Sequence, residues 1–267
     1  MKILFEYIKL NLKVLFQHKR AFFIMFFVNS AVVLIYLPLF RSIYAYNNSQ
    51  SIKGYSLEQM VWYFAAVTFV NTCVHSYADS RISGRIRNGN LSIDLLKPVG
   101  IMKIELGQGL GLKIPAILIQ FLLPFLVYSL IIFPTFITFH SVFKFIILNI
   151  GGFTIAFLTN YIIGLTAFYI KNNNSIIRLK GFLFNFAGGA FIPLDFLPNW
   201  ANAVLDILPF KYVYYWPIQF FLNLEKAQGT FIFYKILFIQ LLWSVVLFIL
   251  GKFLYNKVIK NYCAVGG

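Results

Sequence analysis

Uncharged apolar runs long enough to cross a bilayer recur along this chain, and no other feature constrains its fold as strongly. A transmembrane helix needs about 20 such residues. Residues 21–40, 59–78 and 145–170 each qualify. The run 114–143 is too long for one crossing and holds Pro115, Pro124 and Pro134. We read a span over 110–132 there, then a turn at Phe133 and Pro134. A weaker fifth span covers 176–194, with Arg178 and Lys180 at its entrance. The sixth covers 231–250, with Lys235 near its start. Backbone polar groups in lipid must pair internally, so the spans are helices or a closed barrel. The runs lack strand-like alternation, which leaves helices. The expected fold class is an all-α integral membrane protein with six transmembrane helices.

Composition excludes the other classes. Hydrophobic residues make up 60% of the 267 and charged residues only 12%. A water-soluble domain could not cover that apolar surface, and a disordered chain would lack it. The net charge of +15 invites a nucleic-acid reading. The 23 basic residues form no single patch, however; they punctuate the apolar runs and so set topology. With the N-terminus in the cytoplasm, Lys2, Lys9, Lys13, Lys19, Arg20, Arg81, Arg85, Arg87, Lys97, Lys103, Lys171, Arg178, Lys180, Lys252, Lys257 and Lys260 all fall inside, and Lys113, at the start of span three, could fall on either side. Arg41, Lys53, Lys144, Lys211, Lys226 and Lys235 fall on or near the outside. Both termini are then cytoplasmic, and span 21–40 is read as retained, not cleaved. Cys73 and Cys263 offer neither a disulfide framework nor metal-ligand spacing.

Three further segments are expected to lie on the membrane. In residues 1–20, Lys2, Glu6, Lys9, Lys13, Gln17 and Arg20 form one helical stripe beside an apolar face, as in an interfacial amphipathic helix. The loop 79–103 mixes Arg81, Arg85, Arg87 and Asp94 with Ile82, Ile86, Leu91, Leu95 and Leu96. A short helix would set Ile82 and Ile86 one turn apart, facing lipid or a partner. Gly89 after Asn88 reads as its stop, and Pro98 ends the second half. On these residues alone the loop is equally a plain topology signal. Segment 195–225 is too broken by Pro198, Pro209 and Pro217 for one helix, and too aromatic for a loop in water. Trp200, Tyr212, Tyr214, Tyr215 and Trp216 suit headgroup depth, so short helices re-entering the outer leaflet are expected.

Two of these segments carry a resemblance. The loop fits I-R-x-G-x-L-x-x-x-L-L-x-P through Ile86, Arg87, Gly89, Leu91, Leu95, Leu96 and Pro98. The outer segment fits P-L-x-F-x-P-x-W, then L-P-F and P, through Pro193, Leu194, Phe196, Pro198, Trp200, Leu208, Pro209, Phe210 and Pro217. With this order of spans, the chain resembles permease subunits of bacterial ABC transporters of the type-two exporter class. Asn90 departs from the pattern, which carries an acidic residue after the glycine. The resemblance implies an N-terminal elbow helix, a cytoplasmic coupling helix docking on a separate ATPase, and outer re-entrant helices before the last span. It implies that ATP and magnesium are held by ABC ATPase subunits. It implies a second permease, a copy or a relative, completing a dimer in the bacterial inner membrane. The coupling residues would be Arg85, Ile86, Arg87, Gly89, Leu91 and Asp94, with Ile86 and Leu91 as apolar knobs and the arginines as orienting charges. The outer segment would act through Pro193, Asp195, Pro198, Trp200 and Pro209.

The chemistry missing from the chain narrows the reading. No G-x-x-x-x-G-K-[ST] phosphate loop occurs, so ATP hydrolysis must come from elsewhere. None of the eight acidic residues falls in mid-span, which disfavours ion-coupled transport. His75, near the inner end of span two, reads as a packing residue, although Asp79 one turn on leaves a proton relay open. Asn149, Asn160 and Asn185 are either packing polar groups or the edge of a translocation path. The nearly charge-free aromatic spans point to an amphipathic substrate such as a drug, peptide or lipid. Two alternatives remain. A membrane enzyme would have to use Asp195, Asp206 and His140, which share no motif spacing. A sensor or scaffold subunit would need no transport at all.

Overall fold

The computed structural model describes residues 19–170 and 172–260, with Glu6 and Lys9. The amphipathic helix expected over 1–20 lies almost wholly outside the described residues. Helix α1 (Lys19–Tyr46) leads to a two-residue-strand hairpin, β1 (Ser51–Ile52) and β2 (Tyr55–Ser56). The hairpin turns on Lys53 and Gly54, both at positive φ, which matches the twist of paired strands. Ser56 then caps α2 (Leu57–Val74) through a reciprocal box with Gln59.

α2 is apolar on every side and buries residues all round, from Met60 and Trp62 to Phe69 and Val74. Such a helix belongs at the centre of a bundle. The second central helix is α7 (Phe139–Leu165), started by a box between Thr138 and Ser141. Between them run α3 (Ala78–Arg87), α4 (Leu91–Leu95), α5 (Ile101–Ile117) and α6 (Leu123–Ile131). α5 passes into α6 through a π-helical stretch, Leu118–Leu122, lying between Pro115 and Pro124. Proline lacks the N–H for the i−4 bond, and a widened turn absorbs the mismatch.

The remaining elements are α8 (Asn174–Ala187), α9 (Asn199–Ile207), α10 (Tyr215–Phe221) and α11 (Thr230–Ile259). Among the described residues, Phe26–Tyr46, Phe139–Phe168 and Thr230–Ile259 are long and apolar enough to cross a membrane. α1 and α11 expose Phe27, Leu34, Phe238 and Leu241 outward, as lipid contact requires. The expected stretches 59–78, 110–132, 145–170 and 231–250 overlap α2, α5–α6, α7 and α11, but α2 already ends at Val74, and α7 runs from Phe139 to Leu165, starting and ending earlier than expected. α8 is shorter than the span expected over 176–194. Its 14 residues rise about 21 Å, against about 30 Å of hydrocarbon. It ends at Ala187, and Gly189 then turns at φ 87.

Candidate functional site

Two poles of the bundle carry the polar chemistry. At the first, α3 lies flat against α7. A Cβ on Gly164 would meet Ile82 Cβ at 2.9 Å and Asp79 Cα at 3.2 Å, so only glycine permits this approach. Gly164→Val is expected to lower stability by about 1–2 kcal/mol, read as earlier thermal unfolding in detergent. Unchanged unfolding would mean that α3 does not seat here.

The buried face of α3 corrects one expectation. Ile86 is 7% exposed and Leu91 0%, and with Ile82 they join Ile101, Tyr161, Leu165 and Val258 in one apolar cluster. They face neither lipid nor a partner. The one-turn spacing identified an apolar face, and the ends of α7 and α11 cover it. Arg85 and Asp94 also turn inward. Arg85 Nη1 donates to Asp94 Oδ2 at 2.9 Å, and Lys97 Nζ to Asp94 Oδ1 at 2.6 Å. Arg81 Nε donates to Glu105 Oε2 at 2.8 Å. Arg85 Nη2 lies 2.8 Å from Glu105 Oε1, but donates to Gln108 Oε1 at 2.9 Å. Burial raises the Asp94 carboxyl, but Lys97 and Arg85 outweigh it and hold the group below its ordinary value. For fully buried Glu105, burial wins over Arg81 and Arg85, and the value stays raised.

The outward side of the pair is different. α3 ends at Arg87, and Gly89 turns the chain at φ 73. Arg87 is exposed, Ile93 is 60% exposed and Leu96 86%. Two apolar side chains of this pair thus stand clear of the bundle.

Beneath this pole lie two cavities, of about 220 and 590 Å³, which share His75, Tyr77 and Asn185. Lys180 on α8 donates to Asp79 at 2.5 Å and to Asn160 Oδ1 at 2.6 Å, and Asn160 Nδ2 donates to Ser76 Oγ at 2.8 Å. This chain ties α8 to α7 and to the α2–α3 junction. Asn160 lines the smaller cavity and Asn185 both. Asn149 lines neither; its amide donates to Phe145 O at 2.8 Å within α7. The sequence reading missed Glu105, and placed Lys113 and Lys180 only at span entrances. Both lysines line these cavities.

At the other pole, Asp195 gathers the hairpin and the broken segment. Tyr55 donates to Asp195 Oδ2 at 2.5 Å and Tyr215 to Oδ1 at 2.9 Å; Lys226 pairs with the same oxygen. Gln219 donates to the Tyr55 hydroxyl at 2.5 Å. Burial first, then nearby acidic groups including Asp195, pushes both phenols up. Pro193, Pro198 and Pro209 each stand just before a short helix, where a missing N–H costs nothing. α10 packs into the core, with Phe221 against Trp62 and Phe145. On α9, Trp200, Val204 and Ile207 share one exposed face. Asp206 pairs with Lys211 at 2.7 Å, and His140 is exposed elsewhere. Among the described residues no three His, Cys, Asp or Glu side chains converge as metal ligands.

A family model described as ABC-2 family transporter protein matches residues 31–266. No curated protein and no solved structure matches the chain.

Proposed function

The chain belongs to the ABC-2 family of transporter proteins, as a multi-pass permease component of an ABC transporter, and from that premise we propose that it is the membrane half of an ATP-driven exporter. In this reading six spans cross the bacterial inner membrane, with α8 and its flanking turn completing the fifth. Both termini and the α3–α4 pair lie in the cytoplasm, in line with the inside excess of Lys and Arg. An ABC ATPase, holding ATP and magnesium, docks on the pair. A second permease, a copy or a relative, completes the path, and the substrate is amphipathic.

The observation that carries the reading is the α3–α4 pair. It is keyed into the bundle through Ile82, Ile86 and Leu91, and it presents Ile93, Leu96 and Arg87 outward. A lever between an ATPase and the spans requires both properties. Arg85, Asp94 and Glu105 brace the pair from inside, so their share in coupling is positioning. Gly89 supplies the left-handed turn that sets α4 against α3. The outer segment, pinned by Asp195, closes the opposite mouth.

The test has two parts. The tagged chain purified from native membranes is expected to bring an ABC ATPase with it. In a background lacking Cys73 and Cys263, Ser49→Cys is expected to react with an impermeant thiol reagent from outside, and Arg87→Cys only after permeabilisation. The reverse labelling would place the pair on the wrong face for any ATPase and end the proposal.

A further inference from the structure

The larger cavity holds a buried cation that has no carboxylate. Lys113 is 8% exposed, and among the described residues no acidic side chain pairs with it. Its ammonium donates to the carbonyls of Thr72, at 2.7 Å, and His75. These belong to the end of α2, where carbonyls lack helical partners. Capping accounts for two of the three protons of a lysine ammonium. The Phe153 ring face lies 5.8 Å away. Capping alone does not require a charge, since a hydroxyl or amide would serve.

The other groups of the site sharpen this. Thr68, Asn71, Thr72 and Ser76 supply neutral polar groups to the same wall. Among the described residues no Asp or Glu lines the 590 Å³ cavity. In the adjoining cavity Lys180 is already matched by Asp79, which leaves Lys113 as the uncompensated charge among the described residues of the two cavities. The smaller cavity also has an apolar side formed by Val74, Ala156, Ile177 and Phe184. One spare positive charge therefore stands near an apolar wall.

We propose that these two cavities, which meet at His75, Tyr77 and Asn185, together bind an anionic amphiphile, its carboxylate or phosphate head at Lys113 and its tail along Val74, Ala156, Ile177 and Phe184. The proposal rests on the reading of an amphipathic substrate and gives that substrate its charge. A buried ammonium without a counter-ion is costly, and an arriving anion recovers that cost, whereas a cation would add to it. Neutral heads gain only hydrogen bonds, so the site discriminates by charge.

The experiment uses the full chain in nanodiscs of zwitterionic lipid. Binding of dodecyl phosphate and laurate is compared with dodecyl maltoside and dodecyl trimethylammonium, which share the tail. The anionic pair is expected to bind at least about ten-fold tighter than the maltoside, with the cation weakest. Lys113→Gln is expected to erase that preference and Lys113→Arg to keep it. Should Lys113→Gln disturb α2, Asn29→Asp supplies a second arm. It sets a carboxylate on the cavity wall without touching the cap, and it too is expected to erase the preference. Displacement of dodecyl phosphate by inorganic phosphate at equal concentration would assign the site to a free anion and overturn the amphiphile. Displacement by phosphatidylglycerol placed in the nanodisc, with no effect of inorganic phosphate, would assign the same chemistry to a bilayer lipid and support the site. Equal binding of all heads, or a preference that survives in both variants, would overturn it. ATPase recovery is measured separately. A charge preference without ATPase recovery would uphold the site and remove the exporter reading, and the opposite result would do the reverse.

Discussion

Ile93→Asp combined with Leu96→Asp is expected to abolish capture of the ATPase while the permease stays folded and inserted. Both side chains are already exposed, at 60% and 86%, so the change removes little of the chain's own packing. Burying an aliphatic side chain of this size on a partner contributes about 1.5–3 kcal/mol. Losing both costs about 3–6 kcal/mol, or roughly two to four orders of magnitude in dissociation constant. The measurement is ATPase recovered per tagged permease, with the permease's elution profile as the check on folding. Ile86→Asp makes the contrast, because it buries a charge in the cluster with Tyr161 and Val258 and is expected to lower permease abundance itself. Full ATPase recovery with the double variant would remove Ile93 and Leu96 from the docking surface.

The contrast between those residues shows how far a sequence of this kind can be read. The sequence points to Ile86 and Leu91 as the knobs for a partner, whereas the structure buries both and exposes Ile93 and Leu96. Periodicity shows that one face of α3 is covered, but not whether the cover is another chain or the ends of α7 and α11. The ion pairs were hidden for a related reason. Arg81 lies 24 residues from Glu105, Lys180 lies 101 from Asp79, and Gln219 lies 164 from Tyr55. Spacing along one element cannot bring such residues together, since their meeting depends on how helices pack. Proline and glycine were more legible because they act locally. Pro115 and Pro124 bracket the π-helical stretch, and Gly89 turns where the helix stops. The short α8 escaped notice because hydrophobicity runs on through Gly188 and Gly189, and composition does not record that the helix has ended.

Glu105→Ala and Glu105→Gln are expected to differ sharply, and the reason lies in what the arginines need. Glu105 is fully buried, while Arg81 and Arg85 keep side-chain exposures of 24% and 18%. Their charges therefore reach water in part, and screening weakens the pull of a counter-ion. The raised carboxyl says the same: burial costs the ionised form more than the two guanidinium groups return. What Arg81 requires from position 105 is an acceptor oxygen at 2.8 Å, and glutamine can supply one. Glu105→Gln is accordingly expected to stay within about 1 kcal/mol of the parent. Alanine removes both oxygens, strands the Arg81 donor and leaves a void at the root of the helix pair. It is expected to cost about 2–3 kcal/mol. The pH dependence gives the sign. A carboxyl raised on folding carries a penalty above its folded value, and that penalty lifts as pH falls through it. The parent should therefore gain stability on mild acidification, and Glu105→Gln, which cannot titrate there, should not. Asp94 opposes this only at lower pH. Held below its ordinary 3.8, it contributes stability above that value and loses it as pH falls through its lowered one. Thermal unfolding of the three proteins in detergent, followed from neutral to mildly acid buffer, separates these effects. Equal losses for alanine and glutamine, with the parent losing stability on mild acidification instead of gaining it, would mean that the full charge of Glu105, and not its acceptor oxygen, holds the helix pair in place.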